Sequence, residues 1–210
     1  MKIFDLLCFE HHSNLNVPNA SIIEEILNEI ITPELEKIGL TNKKYKYKWS
    51  SDYNVNGIKT SVRFHYRGLS AGFTIGQSFK CIPSTKILKY PKDKFHLFEH
   101  VDFFNTNKKL SLWNRKIFEI GLKKFISKDL KKIRKHIVSC DSIQKNIDIA
   151  LRQINSTRSE YEIHDPDQKY VLAFLYATLG DKEKAQNTMK EYAIEKNLVH
   201  NDLFKYLENV

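Results

Sequence analysis

The chain has 210 residues and a mass of 24.7 kDa, with 41% hydrophobic and 28% charged residues, and seven glycines and five prolines. That is globular composition, which excludes a disordered tail, a collagen and a coiled-coil rod, and the length fits one or two domains. Thirty-four Lys and Arg against 25 Asp and Glu give a net charge of +9 and an isoelectric point near 9.3, so anionic partners are drawn toward the chain.

Only six of the cations are Arg, at positions 63, 67, 115, 134, 152 and 158. Base and phosphate recognition favours the bidentate guanidinium fork, so a Lys-dominated charge is a weaker nucleic-acid signal than its size implies. The joint richness in Lys, Asn, Ile, Phe and Tyr also fits an AT-rich coding background. No run of about eighteen apolar residues exists, and Met1-Lys2-Ile3-Phe4-Asp5 puts an acid where a signal peptide keeps its apolar stretch. The expectation is a cytosolic protein without a membrane span. Cys8, Cys81 and Cys140 are odd in number, lack a C-x-x-C spacing and have apolar neighbours, which predicts reduced thiols.

Ile3 to Phe9 is a short apolar run that periodicity does not assign. Ser21-Ile22-Ile23-Glu24 reads as a capping box opening a helix with Ile22, Ile23, Ile26, Leu27, Ile30 and Ile31 as its stripe. Thr32-Pro33 interrupts it and starts a short helix capped by Thr32, ending at Gly39. From Lys44 the period becomes two, with Tyr45, Tyr47 and Trp49 alternating with Lys44, Lys46 and Lys48. This predicts a strand with one aromatic and one basic face. A second strand over 59–67 points Val62, Phe64 and Tyr66 one way and Arg63, His65 and Arg67 the other. After a hairpin turn at Gly68-Leu69-Ser70, a third strand carries Phe73, Ile75 and Phe79.

Residues 95–104 are apolar and fit helix or strand. Over 111–138, Leu112, Trp113, Ile117, Ile120, Leu122, Phe125, Ile126, Leu130, Ile133 and Ile137 recur at threes and fours, as in one long helix or two. Asp141 or Ser142 caps the next helix. Asp165-Pro166 starts another that runs to Leu179 and ends at Gly180, Asp181 begins its partner to about Lys196, and a short helix over 202–207 closes the chain. The fold class is therefore α+β: an N-terminal helix, a three-stranded antiparallel meander and a helical C-terminal half. The expected division is an α+β domain over 1–110 and a helical region over 111–210 packed on it.

No residue stands out as catalytic, and no cofactor is indicated. His96-Leu97-Phe98-Glu99-His100 follows the H-x-x-E-H order of inverted zinc metallopeptidases, in which two imidazoles one helical turn apart hold the metal and the glutamate activates water. A strand over 95–104 would separate the two histidines, and His96, Glu99 and His100 are otherwise surface or hydrogen-bonded residues. Cys8, His11 and His12 lack a second ligand pair at finger spacing. Asp52 is the lone acid near the predicted strands, too few for a metal-dependent nuclease core, and no glycine precedes a Lys-Ser or Lys-Thr pair at the spacing of a phosphate loop.

Two basic surfaces remain. Lys44, Lys46, Lys48, Arg63, His65 and Arg67 share the outer sheet face if the first two strands pair. Lys123, Lys124, Lys128, Lys131, Lys132, Arg134 and Lys135, opposed only by Asp129, form the polar side of the long helix. Each suits phosphates or an acidic protein, the helix suits an anionic membrane surface as well, and an ordinary solvated face is the commoner origin of both. The aromatics of the first strand belong to the core by parity.

Ala173, Tyr176, Gly180 and Ala185, on two helices joined by Leu179-Gly180-Asp181, resemble a tetratricopeptide helix hairpin over residues 166–196. The N-terminal pattern of Pro33, Leu35, Gly39-Leu40, Lys48-Trp49 and Gly72-Phe73 resembles small uncharacterised bacterial α+β domains of toxin-immunity type. That resemblance implies a protein that neutralises a toxin by covering its active surface. The leading expectation is a non-catalytic protein-binding protein, an immunity or accessory factor using the sheet face and the C-terminal hairpin. The alternative is a nucleic-acid binder in which both basic surfaces track phosphates. The oligomeric state is open.

Overall fold

The computed structural model describes residues 16–42, 46–83, 94–100, 110–157, 166–208 and 210. It is an α+β structure with helices α1 (Ala20–Ile30) and α2 (Thr32–Glu36), strands β1 (Lys48–Ser50), β2 (Ile58–Arg67), β3 (Ser70–Phe79), β4 (Leu97–His100) and β5 (Leu110–Ser111), and then helices α3 (Arg115–Ser139), α4 (Ile143–Ile154), α5 (Gln168–Thr178), α6 (Lys182–Glu195) and α7 (His200–Leu207). The expected meander is present as β1-β2-β3, and the sheet continues to β4 while β5 pairs antiparallel with β3, Ser70 facing Ser111 and Ala71 facing Leu110. Two compact units divide the chain, and each draws on several stretches of it: 1–50, 62–75 and 99–134 in the first, 51–61, 76–98 and 135–210 in the second.

In the first unit α1 begins one residue before the expected box. Asn19 is the cap, its Oδ1 accepting from Ile22 N at 3.0 Å, and it leaves Ile23, Ile26 and Leu27 buried. Thr32 does not cap α2. It is the first helical residue, and its hydroxyl instead accepts from the Trp49 indole at 2.9 Å, which satisfies the buried N–H of a side chain with no solvent exposure. The core of this unit is aromatic: Phe73 stacks on Phe125 with ring centres 4.2 Å apart, meets Phe64 edge-on at 5.3 Å, and lies 6.4 Å from Trp49.

In the second unit Ser142 and Asp181 cap as the sequence predicts, while α5 begins at Gln168 behind Asp167, two residues after the expected Asp165-Pro166 start. Ser142 Oγ accepts from Lys145 N ahead of α4, Asp167 from Lys169 N ahead of α5, and Asp181 from Lys184 N ahead of α6. Asp165 lies outside the described residues. Between α5 and α6, Gly180 adopts φ +82° with open space around its α-carbon, so the left-handed turn is what requires glycine there. Helix α5 packs against α4 on one side and α6 and α7 on others, and Tyr170 through Leu175 are all buried. Ala173, Ala185 and Ala193 are buried with it, small enough to let helix axes approach.

Candidate binding surface

The sheet does not assemble the six-cation face. Lys44 lies outside the described residues. Tyr47 takes a left-handed backbone conformation, φ +61°, so the alternation expected over 44–49 is broken and the strand starts only at Lys48. Lys48 and Trp49 are neighbours on β1 and point to opposite faces, yet both are buried, at 5% and 0% exposure, so Lys48 is not on an open surface. Lys46 is exposed but pairs with Glu24 at 2.7 Å, a hydrogen bond that raises its ammonium pKa. On β2, Arg63 is half-buried, while His65 and Arg67 are exposed, with Thr74 Oγ1 3.3 Å from His65 Nδ1. Of the six, the exposed ones among the described residues are Lys46, His65 and Arg67.

Helix α3 is different. It carries nine cations and two acids. Its buried seam runs through Phe118, Leu122, Phe125, Asp129, Ile133 and His136, at steps of three or four that keep one face inward. Asp129 is thus a seam residue, 8% exposed and bonded to Lys132 Nζ at 2.9 Å, and not the counter-charge of the outer face. Lys132 is correspondingly half-buried at the seam's margin. The opposite face presents Lys123, Lys124, Lys128, Lys131 and Arg134, all exposed, and no acid among the described residues pairs with any of them. Lys116 continues the row toward the N-terminus, and Lys135 follows Arg134 at the start of the second unit.

Ile117 and Ile120 belong to this outward face too. Placed in the apolar stripe by simple recurrence, they are 39% and 46% exposed, because their helical angles lie opposite Phe118 and Leu122. Trp113, just ahead of the helix, is 37% exposed. Asn114 fixes the helix start, its Oδ1 accepting from Ile117 N at 2.9 Å, and Arg115 ties it to Glu25 and Glu119 at 2.9 and 2.8 Å. Testing helical angle in place of recurrence would have exposed both isoleucines in the sequence.

The zinc pattern does not form. His96 precedes β4, and Leu97 to His100 are extended, so His96 and His100 are four strand steps apart, about 13 Å, where a helical turn brings two imidazoles together. His96 Nδ1 accepts from Phe79 N at 2.9 Å and its ring stacks on Phe79. No group of three metal-ligating side chains is found among the described residues. Cys8, His11 and His12 lie outside them. Cys140 Sγ is 3.3 Å from His136 Nε2, which also meets Gln77 Nε2 at 2.9 Å, an arrangement that sequence spacing did not mark. The thiol has no solvent exposure, so a substrate has no approach to it and the trio acts as core packing.

Cys81 borders an open groove of about 520 Å³ with Asn56, Lys80, Thr178 and Tyr206. Burial raises its thiol pKa, against a smaller lowering by the Thr178 hydroxyl. The folded state therefore holds the proton more tightly, so this contribution to stability is whole below the unfolded thiol's pKa of about 8.5 and is lost as pH rises through the higher folded value. Alkylation by iodoacetamide at pH 8.5, followed by peptide mapping, should be slower at Cys81 in native protein than in urea-unfolded chain. The native rate should keep climbing at pH values where the unfolded thiol has already levelled; coincident profiles would contradict this.

No family model, no curated protein and no solved structure matches this chain. Among the described residues no helix is long and apolar enough to cross a membrane.

Proposed function

We propose that this chain acts by non-covalent association with an anionic macromolecular partner, as a cytosolic accessory or immunity-type binding protein, and that the outward face of α3 is its contact surface. One observation carries the reading: Lys123, Lys124, Lys128, Lys131 and Arg134 stand exposed on a single helix face, and no acid among the described residues is paired to them. Like charges held this close cost folding energy by self-repulsion, and an anionic partner relieves that cost. The sheet face plays a lesser part here than composition implied, since Lys48 is buried and Lys46 is neutralised by Glu24. The α5–α6 hairpin, with Leu179 and Ile194 exposed, is a secondary contact in this reading.

A second reading, phosphate tracking along nucleic acid, is supported by the same row of cations and predicts a steep loss of affinity with salt. The experiment compares native chain with a Lys123→Glu, Lys124→Glu, Lys128→Glu variant as baits in low-salt lysate, with and without nuclease. These side chains lie in solvent and repel one another, so the variant should keep its circular dichroism and unfold at a midpoint no lower than that of the native chain. A partner retained at fixed stoichiometry by the native bait after digestion, and reduced at least about tenfold on the variant, supports association through α3. Equal retention by both baits removes α3 from the contact, and retention that vanishes on digestion replaces the protein partner with nucleic acid.

A further inference from the structure

The outward face of α3 changes character along its length, and that change specifies the partner. Resting on the proposed α3 contact, we infer that this face docks an acidic protein segment with an apolar anchor at one end, the anchor seated on Ile117 and Ile120 and the acids lying along Lys123 to Arg134. Ile117 and Ile120 are one turn apart, and Lys124 follows at the next turn on the same line, so apolar and cationic parts form one continuous strip. From Ile117 to Arg134 the strip is about 26 Å long. Lys116 and Lys123 flank the isoleucines, so an anchor here is ringed by charges that stay hydrated at the rim.

Charge complementarity selects among occupants. A second copy of this strip is excluded, because an isologous contact would set the same cations against themselves. A nucleic-acid backbone satisfies the lysines but offers the two isoleucines only sugar and phosphate, leaving them in water. An anionic bilayer would need apolar side chains along the whole face, whereas Lys124, Lys128 and Lys131 occupy its middle and far end. A protein segment rich in Asp and Glu with one aromatic or branched residue meets both halves, and Lys serves such a partner as well as Arg because carboxylates on a mobile segment need no fixed fork.

The test measures binding of the full chain to four probes of matched charge: poly-glutamate, a random glutamate–tyrosine copolymer, a DNA duplex, and vesicles containing phosphatidylserine. The copolymer should bind at least about tenfold more tightly than poly-glutamate, the return from seating one apolar side chain. An Ile117→Ser, Ile120→Ser variant should erase that difference while leaving poly-glutamate binding unchanged. Lys123→Glu, Lys128→Glu should weaken both acidic polymers and flatten their salt dependence. DNA or vesicles binding as tightly as the copolymer, or a copolymer advantage that survives the serine variant, overturns the inference while the α3 contact stands. Indifference of every probe to the charge reversal overturns the α3 contact itself.

Discussion

Phe73→Ala should lower stability by about 3–5 kcal/mol, among the largest effects of any single truncation in the first unit. The side chain has no solvent exposure and touches three other rings, stacked on Phe125 at 4.2 Å, edge-on to Phe64 at 5.3 Å and tilted toward Trp49 at 6.4 Å. Removing it forfeits the transfer free energy of a phenyl group. It also leaves a cavity walled by rigid aromatics that cannot collapse inward, and each lost ring contact adds about 0.5–1.5 kcal/mol. Urea unfolding followed by tryptophan fluorescence reads the loss directly, because Trp49 borders the cavity. Tyr66→Ala is the control: Tyr66 is on the neighbouring strand β2 and touches Phe64 and Tyr47, yet is 41% exposed, and should cost much less. Equal costs at both positions would show that the aromatic cluster is not the core of this unit. The effect also bears on binding, since Phe125 belongs to α3 and Phe73 helps hold that helix with its cations outward.

Helix ends were legible in the sequence because their chemistry is local. Ser142, Asp181 and Gly180 act through hydrogen bonds or backbone conformation within a few residues, and all three do what their positions predict. Where several caps compete the sequence is less decisive, as Asn19 displaces Ser21 two positions later. Strands β4 and β5 were not legible, since four and two residues hold no measurable alternation and their pairing is supplied by the rest of the sheet. Period alone misled over 46–49: Tyr47 has a positive φ that no propensity marks, the strand starts only at Lys48, and both Lys48 and Trp49 are buried although they point to opposite faces. On α3 the opposite error arose. A lone acid among lysines looks like a solvated counter-charge, but Asp129 falls four residues after Phe125 and four before Ile133, which sets it on the seam. Most of the charge row was thus readable, apart from Lys132, which sits with Asp129 at the seam's margin, and the two isoleucines were hidden by a periodicity that does not distinguish neighbouring faces.

Gly76→Ala should cost about 3 kcal/mol, near the upper end for a small overpacking change, although alanine is favoured over glycine in most strands. The reason is distance. A β-carbon at Gly76 would sit 2.5 Å from the Leu97 carbonyl oxygen and 2.6 Å from the Phe95 ring. The ring has torsions with which to retreat; the carbonyl belongs to the backbone of β4, the neighbour of β3, and moves only if that strand moves. Combining Gly76→Ala with Phe95→Ala should therefore fail to restore stability, because the backbone collision persists and a half-filled cavity is added. Gly180→Ala supplies the contrast. Its β-carbon would meet nothing within 4 Å, so only the positive φ opposes it, at about 1 kcal/mol. The two variants should also differ in where they act. Hydrogen exchange in Gly76→Ala should quicken along β4 and in the Gln77 to Phe79 stretch that receives His96, whereas in Gly180→Ala it should quicken only around the α5–α6 turn. If Gly76→Ala matched Gly180→Ala in both cost and pattern, the close approach of β4 to β3 would be wrong, and with it the extended placement of His96 to His100 that removes the zinc site.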